Sequence, residues 1–189
     1  MPDASGLIPI VEKSIERAIA SFNSGRFENE QHFQEILYYI LADELQKSNL
    51  LFGKTSDGKS IMLLIREKIT KEQYIHTGTR PTYARLDIAL LDPEILRSKD
   101  FPKNSSDLRD ISLAVAIEIK INRTDRGWKE EMDYLYEKLK GEVLRQDGQY
   151  IMFLLTPHRM FLFESQYKKW LEQHKDIKIR SNRKELGNL

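Results

Sequence analysis

Asp87, Glu118 and Lys120 are the residues whose types and spacing in this chain can do chemistry. Asp87 stands inside the apolar run Leu86-Asp87-Ile88-Ala89-Leu90-Leu91. Glu118 and Lys120 stand inside Ala114-Val115-Ala116-Ile117-Glu118-Ile119-Lys120-Ile121. Short runs of Ile, Val, Leu and Ala read as buried strands. A carboxylate in such a place is paired, hydrogen-bonded or bound to a metal, because burying it alone is costly. Side chains alternate along a strand, so Glu118 and Lys120 share one face and Ile117, Ile119 and Ile121 take the other. With the Asp87 strand alongside, two carboxylates and an ammonium meet, a set that suits a divalent cation held by oxygen ligands next to a basic group. The same groups also make a self-contained ion cluster in which Lys120 pairs with Asp87, and residue types alone leave both readings open.

Other elements must hold these strands together. Residues 7–23 carry Val11, Ile15, Ala18, Ile19 and Phe22 at helical spacing and predict an amphipathic helix ended by Ser24-Gly25. Residues 29–47 predict a second helix, striped by Phe33, Ile36, Leu37, Ile40, Leu41 and Leu45. At about 100° per residue, Glu30 and Glu44 fall within roughly 50° of the centre of that stripe and Glu35 lies nearly opposite, so only the first two are expected to reach inward. Gly53 to Lys59 reads as a turn without the order of a phosphate loop, and 61–66 as a buried strand. Residues 70–82 read as a loop or irregular hairpin, and 92–110 as a surface connection with a helical turn near Asp92 to Leu96. Met132, Leu135, Leu139, Val143 and Leu144 predict a helix over 128–145, ended by Asp147-Gly148, with 150–156 as a central strand. A last helix is expected within 160–174, and the tail from Lys175 to Leu189 is charged, with its last residues expected to fray.

An Asp on a strand, about thirty residues, then Glu-x-Lys in a second apolar strand resembles the PD-(D/E)xK nuclease superfamily. The resemblance covers residues 29–156 and implies one domain over 1–189. Its fold would be α/β, a restriction-endonuclease-like core with a mixed sheet of four to five strands flanked by helices. It implies Asp87 and Glu118 as ligands of Mg²⁺, replaceable by Mn²⁺, with the Ile119 carbonyl as a further ligand and Lys120 positioning or activating the attacking water. Glu30, followed by Phe33-Gln34, resembles the Glu-x-x-apolar-Gln start of the helix that supplies a third acid. One departure is that Leu86, not proline, precedes Asp87. The implied activity is hydrolysis of DNA phosphodiesters; the alternative is an inactive module of the same fold that binds nucleic acid or a protein. Arg85, and Arg123, Arg126 and Lys129 in the basic loop after the Glu-x-Lys strand, are the candidate DNA contacts; the alternatives are that Arg85 only neutralises the acidic cluster and that the loop is an ordinary solvated one.

Composition narrows the field. Charged residues are 31% of the chain and hydrophobic ones 40%, at a net charge of +1, so a DNA contact must rest on a local patch. The chain has no cysteine, which excludes disulfides, thiolate zinc sites and cysteine nucleophiles and makes a cytoplasmic location the expectation. No run is long enough to span a membrane. His32, His76, His158 and His174 lack metal-ligand spacing. Near-neutral charge and small size suggest help from a second subunit or a partner, and a symmetric homodimer would supply two sites for two strands.

Overall fold

The computed structural model describes residues 6–24, 29–73, 82–98, 111–121, 128–140, 144–155 and 164–182. Helix α1 (Leu7–Asn23) buries Leu7, Val11, Ile15 and Ala18 along one stripe. Helix α2 (Glu30–Lys47) buries Phe33, Leu37, Leu41 and Leu45, one per turn, against it. Asn29 starts α2: its extended backbone turns the side chain to accept the His32 N–H, satisfying a donor that the first turn leaves without a helical partner.

The turn read at 53–59 joins a short hairpin, β1 (Phe52–Lys54) and β2 (Ser60–Met62), with Gly58 at φ 84° in the left-handed region that glycine tolerates. The single strand expected over 61–66 is divided at Leu63. Its N–H donates to the Leu51 carbonyl and its carbonyl accepts from Leu91, so β2 ends and β3 (Leu64–Gln73) begins. Strand β3 runs into the stretch expected to be a loop or irregular hairpin and pairs antiparallel with the next strand, with a register shift between Ile69 and Glu72. Strand β4 (Thr82–Leu91) carries Asp87, a 3-10 turn (Ile95–Arg97) falls just after Asp92–Pro93, and β5 (Leu113–Ile121) carries Glu118 and Lys120.

Helix α3 (Trp128–Lys140) is shorter than the periodicity predicts, and Leu144, expected on it, opens strand β6 (Leu144–Leu155). Asp147-Gly148 therefore lies within a strand and ends no helix. The overlooked signal is Lys138 and Lys140 before Gly141, a basic last turn with glycine next in sequence. Helix α4 (Glu164–Gln173) follows. The first part of the charged tail, for which no strand was expected, forms β7 (Ile177–Ser181), whose Ile177 and Ile179 are buried, and the last residues, expected to fray, lie outside the described residues.

Five strands make one mixed sheet in the order β3-β4-β5-β6-β7. The β3-β4 and β4-β5 pairs are antiparallel; β5-β6 and β6-β7 are parallel. A parallel pair needs a crossover, which α3 supplies between β5 and β6. One face of the sheet packs Leu64, Ile88, Leu90, Val115, Ile117, Ile119 and Ile151 against α1 and α2. On the other, Ala89, Ala116, Ile177 and Ile179 meet Met132 of α3 and Trp170 of α4. The protein is thus α/β with helices on both faces. No helix among the described residues is long and apolar enough to cross a membrane.

Candidate functional site

The β4-β5 ladder stops at Ile88–Ile117, although β4 reaches back to Thr82 and β5 on to Ile121. Beyond that pair each strand keeps only its outer neighbour: Leu86 stays paired with Lys68 of β3, and Lys120 with Leu154 of β6. The sheet therefore forks. Continuing the register by one step places Asp87 opposite Glu118, at the point where the prongs part. Leu86 reports the same departure. Strand alternation would put Leu86 on the face of Ile88 and Leu90, yet it packs in the opposite core, since a strand that has lost one neighbour twists more freely.

Side chains replace the missing backbone pairing. Asp87 Oδ2 accepts the Ile119 N–H at 2.8 Å, so the carboxylate itself bridges the prongs. Its two oxygens offer about four lone-pair directions, and this bond does not exhaust them. The N–H and C=O of one strand residue leave on the same side, so the Ile119 carbonyl also faces the fork. Glu118 is only 2% exposed, and Lys120 Nζ lies 3.8 Å from its Oε1.

Glu30, the first residue of α2, accepts Lys120 Nζ at 2.9 Å through Oε1 and the Ile121 N–H at 3.4 Å through Oε2. Burial by itself would lower the Lys120 pKa, but the hydrogen bond and charge of Glu30, with further attraction from Glu118 and Asp87, outweigh it and leave the pKa raised. Lys120 is thus held as a cation among three carboxylates.

The structure brings Asp87, Glu118, Lys120 and Glu30 together and separates the competing acids. Glu44 does turn inward from α2 but ends on Lys13 at 2.7 Å and on Arg17, tying α2 to α1 away from the fork. Glu35, expected to point away, pairs with Arg66 of β3 at 3.1 Å. Lys129 is exposed on the first turn of α3. The Arg85 side chain, and Arg123 and Arg126 altogether, lie outside the described residues. Gln34, named in the sequence only as part of the Glu-x-x-apolar-Gln helix start, makes a contact not expected there: 6% exposed, it donates from Nε2 to the Asp87 carbonyl at 2.7 Å.

The donor set suits a hard cation: carboxylate oxygens from two strands and a backbone carbonyl, with no sulfur. Among the described residues no group of three or more His, Asp or Glu side chains forms a metal site unaided, so a cation here would draw on backbone or water as well. No family model, curated protein or solved structure matches this chain.

Proposed function

We propose that the chain is a Mg²⁺-dependent deoxyribonuclease of the PD-(D/E)xK kind, acting at the fork between β4 and β5. The observation that carries this reading is the junction itself: Asp87 clasps the Ile119 amide across the fork, with Glu118 and the Glu30-bound Lys120 beside it. The run of α2, the β3-β4-β5 meander, the α3 crossover and β6 parallel to β5 supports a restriction-endonuclease-like core.

Asp87, Glu118 and the Ile119 carbonyl would hold the cation, which supplies Lewis acidity toward a phosphodiester oxygen and a more acidic bound water. Lys120, fixed by Glu30, presents positive charge where the attacked phosphate gathers negative charge. Asp87 keeps the prong of β4 at a set distance from β5, so the geometry exists before substrate arrives. DNA is the substrate this reading requires, and a symmetric dimer would match its two strands.

Asp87→Asn tests the proposal. The amide oxygen can still accept the Ile119 N–H, so the fold should survive while the ligand charge is lost. Titration calorimetry with MgCl₂ and MnCl₂, followed by incubation with plasmid DNA, should show binding and nicking by the parent and neither by the variant. Undiminished nicking in Asp87→Asn would refute the assignment. Metal binding without cutting of plasmid or branched DNA would favour a non-cleaving module.

A further inference from the structure

Gln34 and Glu30 lie one turn apart on α2 and grip opposite prongs of the fork. Glu30 takes Lys120 and Ile121 on β5, whereas Gln34 takes the Asp87 carbonyl on β4. A carbonyl can only accept, so the amide nitrogen must face Asp87. Glu35, next along the helix, adds the pair to Arg66 on β3, and α2 is tied by side chains to all three strands of the meander. The helix cannot shift without moving these strands, and the strands cannot part further while it is docked through Phe33 and Leu37.

We infer that Gln34 is a positioning residue: through the Asp87 backbone it sets the separation of the Asp87 and Glu118 carboxylates, and with it which divalent cation the fork accepts. This rests on the metal-site reading above. Mg²⁺ demands near-octahedral geometry at about 2.0–2.1 Å, while Ca²⁺ tolerates six to eight oxygens at about 2.3–2.6 Å. A fork held by Gln34 therefore favours the smaller ion, and a loosened one should lose that preference.

Gln34→Met keeps the volume and removes the donor. Calorimetric titration of the full chain with MgCl₂ and separately with CaCl₂ should show Mg²⁺ affinity falling about 10- to 100-fold, the usual loss when a group supporting a metal ligand is removed. Ca²⁺ affinity should change by less than about threefold. Unchanged affinity for both ions, or an equal loss for both, would overturn the inference while leaving the metal site standing. Absence of any binding by the parent chain would overturn the functional reading and this inference with it. Should the variant not fold, the parent still decides: scalar coupling across the hydrogen bond from Gln34 Nε2 to the Asp87 carbonyl carbon must be present by NMR, and its absence refutes the role.

Discussion

Lys120 shows how tightly the charges at the fork depend on one another. Its side chain is 14% exposed, and it faces Glu30 at 2.9 Å and the nearly buried Glu118 at 3.8 Å. Lys120→Met would keep most of the packing and leave two carboxylates without that cation. Breaking a fully buried pair costs about 3–5 kcal/mol, but Glu30 is 36% exposed and can rehydrate, so a loss of about 2 kcal/mol is expected in urea unfolding. Stability equal to the parent would show that the ion pair does not hold α2 to β5. In the reading proposed above, the same variant should also abolish DNA nicking, because it removes the positive charge that Glu30 holds at the fork.

At the scale of elements, β7 depends on a contact with the far end of the sequence. Glu12 of α1 pairs with Lys178 at 3.2 Å and Arg180 at 2.8 Å, both on β7. Burial would raise the Glu12 pKa, but the hydrogen bond and charge of Arg180, helped by Lys178, win, and it falls below the ordinary 4.5. A group that ionises at lower pH when folded contributes stability fully above its unfolded pKa, and the contribution is lost as pH falls through the lowered native value. The parent should therefore lose stability below about pH 4.5 more steeply than Glu12→Gln, while at neutral pH the variant should be weaker by about 0.5–1 kcal/mol after solvent screening. Parallel pH profiles of melting temperature would contradict this.

For the whole molecule, β7 closes the second core. Ile177 is 1% exposed and Ile179 is fully buried, next to Trp170 and Met132. Burying two such side chains contributes about 3–6 kcal/mol, a large share of a stability that in domains of this kind totals about 5–15 kcal/mol. Removal of residues 177–189 also uncovers the β6 edge, an invitation to aggregation. The truncated chain should be poorly folded by circular dichroism and should aggregate during expression, whereas a native-like melting transition would mean that β7 is dispensable.

The sequence by itself determined both helices before the sheet, the strands bearing Asp87 and Glu118, and the pairing of Glu118 with Lys120 on one face. These follow from local periodicity, which is written into neighbouring residues. Glu30 was legible as a candidate because the angle around a helix is also local. The angle alone left Glu30 and Glu44 both inward and only the helix-start resemblance favoured Glu30; tertiary structure brings Glu30 to Lys120, and the docking of α1 supplies Lys13 and Arg17 for Glu44. Tertiary structure also decided that residues 177–181 of the charged tail form a strand, because Ile-Lys-Ile-Arg-Ser is too short to stand alone and becomes ordered only against the β6 edge. The fork is the clearest case: nothing local marks where β4 and β5 part, and Gln34 joins the site because packing lays its helix across the gap. Its amide is chemically ordinary until a backbone carbonyl 53 residues away is placed within 2.7 Å.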